Sequence, residues 1–111
     1  MKADDFRALA LALPEATEGE HMDHPDFRVR GKIFATLWPD GKTAVVMLTP
    51  EQQASFADSD PDAFQPAKGG WGRSGSTQVT LSCAPKARVK AALAAAWRNK
   101  APQALIARGE S

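Results

Sequence analysis

What this chain lacks bounds it first. It has one cysteine, Cys83, in 111 residues, so no internal disulfide can hold the fold and a reducing compartment is expected. No apolar run approaches the roughly 20 residues a membrane span needs, and the start, Met1-Lys2-Ala3-Asp4-Asp5, lacks the basic and apolar segments of a signal peptide. A cytoplasmic location and no membrane partner are the expectations. From Ala63 to Gly109 there is no Asp or Glu. Residues 1–62 hold 6 basic and 12 acidic side chains, a balance of −6, and residues 63–111 hold 8 basic and 1 acidic, a balance of +7. Two readings are open: an anionic partner for the basic half, or two halves that pack together and neutralise each other.

Catalytic patterns are missing too. Cys83 has no base near it in sequence, and a lone cysteine at a strand end is expected to be a small buried hydrophobe. No serine sits in a nucleophile elbow, and no two carboxylates are isolated in an apolar stretch. His21 and His24, with Glu20, Asp23 and Asp26, offer metal-ligand chemistry but no completing Cys or His elsewhere. The expectation is no enzyme, no metal and no cofactor.

What is present is enough for one domain over 1–111, with 43% hydrophobic residues. The central stretch, Asp26 to Leu48, reads as three antiparallel strands joined by tight turns. Phe27-Arg28-Val29 and Ile33 to Trp38 carry aromatic and β-branched residues, Gly31 closes the first turn, and Pro39-Asp40-Gly41 forms the second. The third strand, Ala44 to Leu48, is apolar on both faces. Phe6, Leu9, Ala10 and Leu13 recur at helical spacing over 3–13, and Pro14 ends that helix. Glu15 to Pro25 is an acidic loop, with or without a short edge strand at Glu20 to Asp23. Thr49-Pro50-Glu51-Gln52 is a capping box opening a helix to about Ala57, anchored by Phe56 and followed by the acidic loop Asp58 to Asp62.

Gly69, Gly70, Gly72 and Gly75 surround Trp71 and Arg73, but a strand rather than a helix follows, so a P-loop does not fit. A turn with Trp71 packed on the sheet is expected. Thr77, Val79 and Leu81 alternate as a half-buried strand, residues 85–99 form the second major helix, and a last short helix runs from Pro102 through Arg108. One core is expected from Phe6, Leu9, Leu13, Val45, Met47, Val79, Leu81, Val89, Leu93 and Trp97. Phe34 and Trp38 read either as core or as an exposed stacking surface.

Leu13-Pro14-Glu15, then His24-Pro25-Asp26-Phe27-Arg28-Val29 and Gly31-Lys32-Ile33-Phe34-Ala35, then Thr49-Pro50-Glu51 and Gly70-Trp71 resemble the MmcQ/YjbR family of small bacterial proteins. The resemblance implies an α+β two-layer sandwich: an antiparallel sheet of about five strands packed against an N-terminal and a C-terminal helix. It also implies the CyaY-type and secretion-chaperone-type architecture. Family members are commonly described as DNA-binding through a double wing of hairpins. The family's C-terminal Ser-Tyr pair is replaced here by Ala96-Trp97-Arg98-Asn99, and the chain has no tyrosine.

Two functions follow. In the first, DNA is bound through its phosphates by Arg28, Arg30, Lys32 and Lys42 on hairpins and by Lys68 and Arg73 on the glycine-rich loop. In the second, the chain is a non-catalytic protein-interaction or chaperone-like module using an exposed sheet face or edge. A monomer or weak homodimer is expected. A contiguous basic face would favour DNA, and an apolar groove would favour a protein.

Overall fold

The capping box at Thr49 forms as its spacing requires. Thr49 Oγ1 accepts from the Gln52 N–H at 3.2 Å, and Gln52 Oε1 accepts from the Thr49 N–H at 2.9 Å. It opens one of five helices in a computed structural model that describes residues 1–21 and 23–109, with the backbone alone for His21, Arg108 and Gly109. The helices are α1 (Ala3–Leu11), α2 (Pro50–Ser59), the single turn α3 (Gly70–Arg73), α4 (Lys86–Lys100) and α5 (Gln103–Gly109). The strands are β1 (Ala16–His21), β2 (His24–Val29), β3 (Lys32–Leu37), β4 (Thr43–Met47), β5 (Phe64–Pro66) and β6 (Ser76–Thr80). All strand pairs are antiparallel, in the order β1-β2-β3-β4-β6-β5. This is an α+β sandwich with a six-stranded sheet.

The meander β2-β3-β4 is where the sequence places it. Arg30 and Gly31 both take positive φ, 51° and 81°, in the first turn. In the second, Asp40 accepts from the Lys42 and Thr43 N–H groups, at 2.8 and 3.1 Å. The acidic segment after α1 forms a full edge strand, β1, rather than a loop or a short strand at Glu20 to Asp23. Its polar, glycine-containing sequence shows no apolar alternation because an edge strand has little to bury.

Helices α1, α2 and α4 cover one face of the sheet. Helix α4 lies across β3 and β4, α1 packs on α4 and β1, and α2 packs on β5 and β6. Phe6, Phe27, Phe34, Phe64, Val79, Val89, Leu81, Leu93 and Trp97 are buried there. Phe6 meets Phe27 edge-on at 6.0 Å, and Phe56 meets Phe64 at 5.1 Å. The Trp97 Nε1–H donates to the Pro14 carbonyl at 2.9 Å, tying α4 to the end of α1. Arg88 lies over the Phe56 ring and bonds Asp60 at 2.9 Å, an ion pair joining the basic and acidic halves of the chain. Arg7 pairs instead within the acidic half, with Asp4 and Glu18.

Several expectations are corrected. Leu9 and Leu13 are only partly buried at the margin of the core. Val45 and Met47 belong to the other face. Ala44 pairs with Leu37 and Val46 with Ala35, so these side chains take the helix-covered side and their neighbours the opposite one. A strand apolar on both sides carries no alternation that would reveal this. Phe34 is fully buried whereas Trp38 remains 39% exposed. Cys83 is exposed, because the 3₁₀ turn Leu81–Cys83 that ends β6 directs Leu81 inward and leaves Cys83 outside. No helix of the described residues is long and apolar enough to cross a membrane.

Candidate ligand-binding face

The uncovered face of the sheet is built around a carboxylate. Asp26, on β2, is 1% exposed, and Arg28 two residues along the same face grips it with two bonds. Arg28 Nε donates to Asp26 Oδ1 at 2.8 Å and Nη2 to Oδ2 at 3.0 Å, a planar fork on a planar acceptor. These bonds, and then the carboxylate charge, push the Arg28 guanidinium further up from its usual range. Gly19, opposite Asp26 on β1, makes room for the pair: a Cβ there would come within 2.9 Å of Asp26 Oδ1 and 3.2 Å of Arg28 Nε.

Beside this pair the face sinks into two adjoining hollows of about 400 and 550 Å³, each within the size range of ligand pockets. His24, Thr36, Met47 and Trp71 line both. The first continues to Trp38, Val45, Lys68 and Gln78, and the second to Asp26, Ile33 and Lys100. The first hollow has a floor of Val45 and Met47 from β4 with Ser76 and Gln78 from β6, and an aromatic wall, where His24 meets Trp38 edge-on at 6.3 Å.

Trp71 overhangs the groove at 73% exposure, which corrects the expectation that it packs on the sheet. The cause is the turn α3. Gly72 takes the inward position, so close to Ala67 that a Cβ would overlap the Ala67 carbonyl, and Trp71 stands about 100° around the turn from it. Gln53 of α2 fixes the turn, its Nε2 donating to the Gly72 and Ser76 carbonyls at 2.8 and 3.0 Å. Gly75, at φ 112°, has no room for a Cβ beside the Leu48 carbonyl. These two glycines permit close backbone packing.

The six cations singled out from the sequence are not brought together. Arg28 holds Asp26. Arg30, in the first turn, holds Glu15 with two bonds of 2.7 and 3.0 Å, which push its guanidinium further up. Lys32 and Lys42 flank the six-residue β3 at opposite ends of the sheet, roughly 20 Å apart by strand rise. Lys68 precedes α3 and Arg73 is its last residue; both are exposed, and only Lys68 lines the groove. Among the described residues Lys32, Lys42, Lys68 and Arg73 make no salt bridge. Lys100 lines the groove without any local sequence signal, and Val45 and Met47, expected in the core, line it too. A signal for Asp26–Arg28 was present, since residues i and i+2 of a strand share a face. His24 lines the groove; the His21 side chain paired with it in the metal reading lies outside what is described.

A helix-backed antiparallel sheet with one open, grooved face defines a small α+β domain of the sandwich class. The YjbR family profile matches residues 11–99, and the chain belongs to that family. A similar solved structure is the Deinococcus radiodurans protein DR2400, which carries a DUF419 domain. It aligns with a TM-score of 0.69 and 19% identity over 85% of this chain and 74% of its own, a likeness of fold. A search of curated proteins returned no match.

Proposed function

We propose that this is a non-catalytic binding protein that receives a segment of a partner protein on the open face of its sheet. The observation that carries this is the apolar groove under Trp71, on the face of the sheet that α1, α2 and α4 leave open. A side chain as large as tryptophan, left 73% exposed over Met47 and Val45, suits an anchor residue that a partner covers. The test is selection of phage-displayed random dodecapeptides against the folded protein, followed by affinity measurements on the winners. Trp71→Ala is expected to weaken them at least about tenfold. Peptides that bind the variant as well as the wild type overturn the reading.

A second reading, phosphate contacts to DNA, draws on Lys32, Lys42, Lys68 and Arg73, exposed and without a salt bridge among the described residues. Against it stands the commitment of Arg28 and Arg30 to Asp26 and Glu15. Affinity for a short duplex across a salt series separates the two. In this second reading, Arg73→Ala lowers the salt slope by about one unit.

A further inference from the structure

The two hollows differ from a single small-molecule cleft in shape and in charge. Together they follow β3 from Ile33 to Trp38, roughly 17 Å at the rise of a strand. That is a length suited to several residues of polypeptide. The two hollows share His24, Thr36, Met47 and Trp71; beyond these the first adds the apolar Val45 and Trp38, and the second adds Ile33. The lobe of Val45 and Trp38 has Lys68 in its lining, and the lobe of Ile33 has Lys100. Neither lysine makes a salt bridge to a described residue. Asp26 is the sole carboxylate among the described lining residues, and its two oxygens are taken by Arg28. The lining thus offers apolar ground around Val45 and Trp38 and around Ile33, each with a lysine beside it that makes no salt bridge to a described residue.

We infer that the groove binds an acidic amphipathic segment of a partner protein, carrying two apolar anchors with an Asp or Glu beside each. The inference rests on the protein-segment reading and adds the partner's charge pattern. The apolar anchors supply the burial, and the carboxylates meet Lys68 and Lys100 at the margins. There an ion pair sets preference and orientation more than affinity. A single strand of nucleic acid would also bring negative charge and flat bases to Trp38 and Trp71. Met47, Val45 and Ile33 suit aliphatic anchors better than stacked bases.

The experiment repeats the dodecapeptide selection in parallel on the wild type and on a Lys68→Glu/Lys100→Glu variant whose fold is verified by circular dichroism. Wild-type winners are expected to carry two apolar residues with Asp and Glu enriched severalfold over the unselected library. The variant's winners should carry Lys and Arg instead. A synthetic wild-type winner should bind the variant about tenfold more weakly. Apolar pairs without acidic enrichment, or the same winners from both proteins, overturn the charge pattern while leaving the protein-segment reading intact. Winners indifferent to Trp71→Ala overturn both. Oligo-dT that binds the wild type and displaces the peptides, with loss of oligo-dT binding in Trp71→Ala, assigns the groove to nucleic acid and overturns the inference.

Discussion

The same strands present two faces that the sequence builds by different means. On the helix-covered face Phe27, Val29, Ala35, Leu37, Ala44, Val46 and Val79 are buried, and three helices lay further apolar side chains on them. On the open face the corresponding positions hold Asp26, Arg28, Thr36, Val45 and Gln78, neighbours across the sheet that α1, α2 and α4 leave uncovered. The first face is over-determined: every element that touches it agrees on where it is. The second depends on a few special arrangements: Gly19 making room for Asp26–Arg28, and Gly72 turning Trp71 outward. A domain can therefore keep its fold while its open face is rewritten, and variation on that face should alter what is bound far more than whether the chain folds.

The largest effect should come from the covered face. Phe34→Ala removes a side chain that is 0% exposed and should cost about 3–5 kcal/mol in urea or thermal unfolding. Trp71→Ala removes a larger side chain, yet one 73% exposed, and should stay within about 0.5 kcal/mol of the wild type. Equal costs for the two would break the comparison between the faces.

A smaller effect tests the built part of the open face. Arg28→Ala strands a carboxylate that is 1% exposed, whereas Asp26→Ala leaves an arginine with access to water. The prediction is an ordering: Arg28→Ala lowers the unfolding midpoint more than Asp26→Ala does. The reverse order would mean that Asp26 is not the buried centre of that face.

The smallest concerns a turn at the margin of both faces. The Lys42 N–H holds the Asp40 carboxyl below its ordinary range, helped by the bonds from Thr43 and the Lys42 charge. A pKa lower in the folded than in the unfolded chain adds stability above the unfolded value, and that stability is lost as pH falls through the folded one. Asp40→Asn should therefore be less stable than the wild type at neutral pH, with the gap closing below roughly pH 4. A gap that persists unchanged in acid would assign it to turn geometry alone.

The features legible in the sequence are local ones. The Thr49–Gln52 capping box, the Asp40 turn and the helical spacing around Phe6 and around Leu93 all rest on residues within a few positions of each other. What escaped depends on distant partners. Whether Val45 or Val46 faces the helices is decided by pairing with β3 and β6, not by the strand's own composition. Trp71 is placed by Gln53 and by the backbone at Ala67. Arg30 is spoken for by Glu15, across the turn and on another segment, so a count of hairpin cations overstated what a phosphate could meet.

The margins of the sheet bear on how copies of this chain meet in a crowded solution. At one border lies β5, three residues long and closed by Pro66, which has no N–H to offer a neighbouring strand. At the other lies β1, long enough to template another strand but carrying Glu18 and Glu20 around Gly19. Two copies aligning this border antiparallel about Gly19 would set Glu18 opposite Glu20 on both sides of the join, an arrangement that like charges oppose. Glu18 is also held by Arg7 at 2.9 Å, so the glutamates act as a partial guard against sheet extension. Neutralising them, by substitution or by strong acid, would remove that guard and open a route to fibrous assembly.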